Sequence, residues 1–88
     1  MNRSLLYVPG NRPDRFAKAS SSGADAVIVD LEDSVPAGEK EDARAHACAW
    51  VSEHPETWVR VNGGSAMKED VRALVAAGAR KLYVPKAS

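Results

Sequence analysis

The sequence predicts an α/β chain of parallel strands alternating with helices, arranged as part of a (β/α) barrel. Three observations carry that expectation. Four short β-rich runs, at 4–8, 26–30, 58–61 and 81–84, are separated by stretches of helical periodicity, so the order reads β-α-β-α-β-α-β. The connections are short, which favours parallel strands with right-handed crossovers. Polar residues gather where the strands end: Asp30, Glu32 and Asp33 after the second, Arg60 and Asn62 after the third, Lys86 after the fourth. A (β/α) barrel places its chemistry at those points.

The first helix is expected to open with Asn11 as its cap and Pro13 in its first turn, and to close at Ser21-Ser22-Gly23. The second opens with Glu39, Glu41 and Asp42 near the positive end of the helix dipole. It carries Ala43, Ala47, Trp50 and Val51 on one face and stops at His54-Pro55. The third starts at Ser65, sets Val71, Leu74 and Val75 on one stripe and closes at Gly78. A doubly wound sheet shares this element order, but it normally binds its ligand through a glycine-rich turn after the first strand. Here that turn is Val8-Pro9-Gly10-Asn11-Arg12-Pro13, with neither a GxGxxG pattern nor a P-loop.

Length and composition narrow the function classes. The chain has 88 residues, with 12 Lys+Arg against 12 Asp+Glu, and 44% of its residues are hydrophobic. That is one small domain, 1–88, and a complete barrel takes about 250 residues and eight strands. Four strands therefore suggest a half-barrel fragment, a truncated chain or one part of an assembly whose open edges pair with another chain. Balanced charge argues against nucleic acid as the main partner. The apolar runs are too short for a signal peptide or a membrane span, so the expected compartment is the cytoplasm. A lone Cys48 excludes a disulfide framework and reads as a packing residue. His46 and His54, eight residues apart on one helix, stand roughly 12 Å apart along its axis and cannot share a metal.

In an extended segment Ile28, Asp30 and, if the strand continues, Glu32 share one face, while Val27, Val29 and Leu31 share the other. Carboxylates at a barrel mouth, with Asp33 a third, can hold a hard cation or act as general acid or base. The plainer reading is an acidic turn in which Asp33 or Ser34 caps backbone amides. Arg60 lies between Val59 and Val61 in a buried strand, where a guanidinium needs a partner: a substrate carboxylate, or that of Asp30 or Glu32. Asn62-Gly63-Gly64 is a turn whose bare amides can approach a ligand. Lys86, in an echo of the Tyr7-Val8-Pro9 ending, is an anion contact, a Schiff-base nucleophile or a solvated lysine.

Five blocks of sequence carry a more specific likeness. They are Arg3-Ser4-Leu5-Leu6-Tyr7-Val8-Pro9-Gly10, the run from Gly23 through Asp30-Leu31-Glu32-Asp33-Ser34-Val35, Lys40 with Ala43-Arg44, Val59-Arg60-Val61-Asn62, and Val84-Pro85-Lys86. In this order they resemble the opening half of the HpcH/HpaI aldolase and citrate lyase beta-subunit family. The resemblance implies the N-terminal half of a TIM (β/α)8 barrel of the phosphoenolpyruvate/pyruvate-domain type, with four parallel strands and three helices. It also implies Mg²⁺-dependent cleavage of a carbon–carbon bond in citryl-, malyl- or citramalyl-CoA, giving acetyl-CoA and an oxo acid.

By the same likeness Arg60 clamps the substrate carboxylate, while Glu32 and Asp33 lie near the metal and order its waters without binding it directly. Pro9, Gly10, Asn62 and Lys86 then line the mouth. The direct metal ligands of relatives lie on later strands, beyond Ser88, so the chain alone is expected to bind Mg²⁺ weakly and to be inactive. Two other readings stand beside this one: a non-catalytic half-barrel that forms a homo-oligomer or complements another chain, and a doubly wound small-molecule binder.

Overall fold

The computed structural model describes residues 4–85. Four strands, β1 (Leu5–Pro9), β2 (Ala26–Asp30), β3 (Trp58–Arg60) and β4 (Lys81–Tyr83), alternate with three helices, α1 (Phe16–Ser20), α2 (Lys40–Glu53) and α3 (Ala66–Ala77). Short 3-10 turns at Pro13–Arg15 and Ala37–Glu39 lead into α1 and α2. All strand pairs are parallel, and the sheet order is β1-β2-β3-β4. That order separates the two architectures left open above. A doubly wound sheet reverses its winding at a switch point, whereas strands laid down in chain order with right-handed crossovers keep their helices on one face. The latter is barrel winding.

The core lies between the sheet and the helices. Val8, Val29, Leu31, Val59 and Val61 pack against Phe16 and Ala19 from α1, Ala43, Ala47 and Val51 from α2, and Leu74 from α3. Alanines at 43 and 47 let α2 lie close to the strands. Gly10 exploits the same closeness: its amide donates to the Asp30 carbonyl at 2.8 Å. A β-carbon there would stand 2.7 Å from Leu31 Cδ2 and 3.0 Å from Ala43 Cβ. Gly10→Ala is therefore expected to destabilise the chain by about 1–3 kcal/mol, through overpacking of a filled site. Urea unfolding measures it, and an unchanged midpoint would show that Leu31 and Ala43 move aside freely.

The other sheet face carries Leu5, Tyr7, Ala26, Ile28, Trp58 and Tyr83 around a hollow of about 490 Å³. Leu5, Tyr7 and Tyr83 are exposed on it. Apolar side chains on the face that the helices leave bare correspond to the interior of a barrel.

Several expectations shift in detail. Asn11 does not cap α1; the residue at the start of the 3-10 turn is Arg12, and the Asn11 side-chain amide donates to Glu39 Oε1 at 2.8 Å. The Arg12 amide donates to the Pro9 carbonyl and thereby delays the helix by one residue. In α3, Leu74 is buried and Val71 half-buried, but Val75 is 57% exposed. Asp70, one turn before Leu74, takes the buried place instead. Gly78 closes α3 with φ 109°, the left-handed conformation its position requires.

Candidate active site

The register places one row of residues across the carboxyl ends of the strands: Pro9 pairs with Asp30, Asp30 with Arg60, and Arg60 with Tyr83. Because alternate residues share a face, this row points to the side away from the helices. Asp30 and Arg60 meet there. Arg60 Nε donates to Asp30 Oδ1 and Nη2 to Oδ2, each at 2.8 Å, a side-on fork of the kind that gives strong, directional pairing.

The Asp30 carboxylate, 2% exposed, has further donors. The amides of Glu32 and Ser34 donate at 2.9 and 3.0 Å and the Ser34 hydroxyl at 2.7 Å. An aspartate accepting the amide two residues on makes a tight turn, and this turn ends the strand at Asp30. Glu32 is thus not carried on an extension of β2, and the residue that caps the turn's amides is Asp30, where Asp33 or Ser34 was expected. Burial pushes the Asp30 carboxyl up, but the hydrogen bonds from Arg60, Ser34 and the two amides outweigh it and hold the group well below the usual carboxylate range. Asp30 is a fixed anion whose acceptor sites are occupied.

Two more carboxylates face the same guanidinium. Glu32 Oε1 lies 3.9 Å from Arg60 Nε, and Asp33 Oδ2 3.8 Å from Nη2. The Asp33 side chain is 78% exposed. From below, the Tyr7 ring supports the guanidinium, with its centroid 5.1 Å from Arg60 Cζ. A guanidinium has five N–H donors and two forked edges. Asp30 takes the Nε/Nη2 edge, and among the described residues no hydrogen bond engages Nη1. The end-on edge thus stays open to a second carboxylate.

Asn62 is buried with both ends of its amide engaged. Its Oδ1 accepts from Lys40 Nζ at 2.7 Å, and its Nδ2 and backbone N donate to Asp70 Oδ2 at 2.8 and 2.9 Å. Lys40 and Asp70 escaped sequence reasoning as site residues. A lysine in the otherwise acidic first turn of α2 sits at the wrong end of the helix dipole, and that was the available signal of a partner. An aspartate in line with Leu74 was the other. Pro9 stands in the strand-end row and Gly10 just beyond it, under the Asp30 carbonyl. Lys86 lies outside the described residues. Cys48 packs against the core, and burial pushes its thiol up.

No group of three or more His, Cys, Asp or Glu side chains among the described residues is placed to hold a metal ion. Glu32 and Asp33 supply oxygen donors suited to a hard cation, yet two carboxylates do not complete its shell. Among the described residues no helix is long and apolar enough to cross a membrane.

Residues 3–88 match the HpcH/HpaI aldolase/citrate lyase family. The chain belongs to this family. The citrate lyase subunit beta of Leuconostoc mesenteroides subsp. cremoris is 35% identical over 92 residues, covering 98% of this chain and 30% of that protein. A (3S)-malyl-CoA thioesterase of Cereibacter sphaeroides is 38% identical over 92 residues, covering 98% and 32%. Among solved structures, CitE of Mycobacterium tuberculosis in complex with magnesium and pyruvate has a TM-score of 0.79 and 36% identity, over 98% of this chain and 36% of that one. The citrate lyase beta subunit of the same organism with oxaloacetate and magnesium gives 0.72 and 38%, over 94% and 38%. The chain spans about a third of the length of these relatives. Its fold is that of the first four strands of a TIM-type barrel in this citrate lyase family.

Proposed function

We propose that this chain supplies the first four strands of a cytoplasmic, Mg²⁺-dependent carbon–carbon lyase, and that 1–88 is a partial domain which does not turn over substrate alone. The substrate is citryl-, malyl- or citramalyl-CoA, split to acetyl-CoA and an oxo acid. The observation that carries this reading is Arg60, at the carboxyl end of β3: Asp30 fixes one edge of its guanidinium, while Nη1 makes no hydrogen bond among the described residues. A planar fork held in that way suits the carboxylate of an oxo acid.

Charge supports the cation. Asp30, Glu32 and Asp33 surround a single guanidinium, which leaves an excess of negative charge where an anionic substrate would have to approach. A divalent ion held mainly by ligands outside this chain would polarise the substrate oxygen and stabilise the developing enolate. On this reading Glu32 and Asp33 orient its waters, Arg60 fixes the substrate carboxylate, and Pro9, Gly10, Asn62 and Lys86 shape the mouth. Asn62 shapes the mouth by holding Lys40 and Asp70 rather than by touching substrate, because its side chain and its backbone N–H are both already engaged.

The test is a chimera in which this chain replaces the matching third of CitE of Mycobacterium tuberculosis. The isolated chain with Mg²⁺ and each of the three acyl-CoA esters is expected to release no acetyl-CoA, and the chimera to release it. A folded chimera inactive on all three would overturn the reading. The bare apolar face, with Leu5, Tyr7 and Tyr83 exposed, favours a second reading in which copies of the chain close the sheet between them. Light scattering of the isolated chain decides that: a strict monomer at high concentration counts against it.

A further inference from the structure

We infer that Lys40 is a positioning residue, whose ammonium ties the loop after β2 to the loop after β3 and thereby sets where the Asp33 carboxylate stands. Nζ has three protons and three acceptors: the carbonyls of Leu31 at 3.1 Å and Glu32 at 2.8 Å, and Asn62 Oδ1 at 2.7 Å. The set is complete, because an ammonium can donate no more. Asn62 hands the connection on to Asp70 of α3, and Arg44, one helical turn beyond Lys40, reaches the other Asp70 oxygen at 3.5 Å. A cation and an anion are thus bridged by one amide, which compensates a half-buried ammonium without direct contact between the charges.

The two pinned peptide planes differ. The Leu31–Glu32 plane is held on both sides, its carbonyl by Lys40 and its N–H by Asp30. The Glu32–Asp33 plane has its carbonyl on Lys40 at 2.8 Å and, at the longer distance of 3.3 Å, on the Val35 amide of the same turn, and no hydrogen bond to its N–H is found among the described residues. Lys40 is therefore the shorter of the two restraints on the peptide that carries Asp33, and the one that ties it to another element; the Asp33 carboxylate stands 3.8 Å from Arg60. The inference uses the lyase reading only for what Asp33 does once placed; the clamp itself can be measured without substrate.

Two NMR measurements on the chain test it. In the unaltered protein the Lys40 ammonium protons, each with an acceptor, exchange slowly enough to give an Nζ–H signal near neutral pH, whereas free lysine ammoniums do not. Absence of a Lys40 signal would overturn the clamp. In Lys40→Met the order parameter of the Asp33 amide is expected to fall from about 0.85 to below about 0.6, while those of Glu32, Val29 and Val59 stay near 0.85. A uniform fall, or global unfolding of the variant, would show a structural stitch and refute the positioning role. An inactive chimera would sink the lyase reading and leave both NMR results standing.

Discussion

Asp30→Ala is expected to lower the stability of the chain by about 3–5 kcal/mol, the largest loss from any single substitution outside the apolar core. The size follows from what the carboxylate leaves behind. Arg60, whose side chain is 20% exposed, keeps its charge and loses its hydrogen-bonded counter-ion, with only the longer contacts to Glu32 and Asp33 left, and the amides of Glu32 and Ser34 lose their acceptor. Each orphaned buried donor adds about 1–3 kcal/mol of lost solvation, which the loop recovers in part by opening to water. Small domains have total stabilities near the low end of about 5–15 kcal/mol, so the variant should be largely unfolded at room temperature in mild urea. Asp30→Asn should do nearly as badly, since an amide of the same shape cannot serve a guanidinium and two amides at once. Circular dichroism through a urea series measures both. A midpoint for Asp30→Ala within experimental error of the parent would mean that the fork contributes nothing.

The pH dependence has a definite sign. The folded state holds Asp30 well below its ordinary value of 3.8, so the unfolded chain binds the proton more readily. The stabilisation is fully present above the ordinary value and is lost as pH falls below it toward the folded value. Urea midpoints should hold between about pH 5 and 7 and decline below about pH 4, and Asp30→Ala should flatten that part of the acid limb.

Much of the fold was open to sequence reasoning because its signals are local. Alternating valines fixed the helix-facing side of β2, the acidic first turn and His54-Pro55 bracketed α2, and Gly78 ended α3. Sheet order was not local. The absence of a glycine-rich turn argued against double winding, but only the pairing of β3 with both β2 and β4 decided it. The site divided along the same line. Arg60 stood out because a guanidinium in a strand needs a partner, and Asp30 was among those named. That Asp30 also folds its own loop depends on a turn leaving the strand at Leu31, which alternation extrapolated past. Val75 was misplaced for a related reason: α3 packs along a stripe through Asp70 and Leu74, and the Asn62 amides, with Arg44 at 3.5 Å, make a buried aspartate there tolerable.

Arg60→Lys in the chimera is expected to reduce kcat/KM for the acyl-CoA ester by about 10²–10³, equivalent to about 3–4 kcal/mol of transition-state binding. Charge is conserved in this substitution, and geometry is not. An ammonium is a point charge on a flexible stem and cannot present one fork to Asp30 and a second to the substrate carboxylate. It should settle on Asp30, whose acceptors point at it and whose neighbours Glu32 and Asp33 add attraction, leaving the substrate end without a donor. The loss should appear in both kcat and KM, because a misplaced carboxylate misaligns the bond to be broken as well as weakening binding. The melting temperature of Arg60→Lys itself separates the two halves of the argument, because a rate effect that came only from lost folding would be accompanied there by a matching fall. If Arg60→Lys retains the parent melting temperature and nearly full kcat/KM, Arg60 does not hold the substrate and its partnership with Asp30 is structural alone.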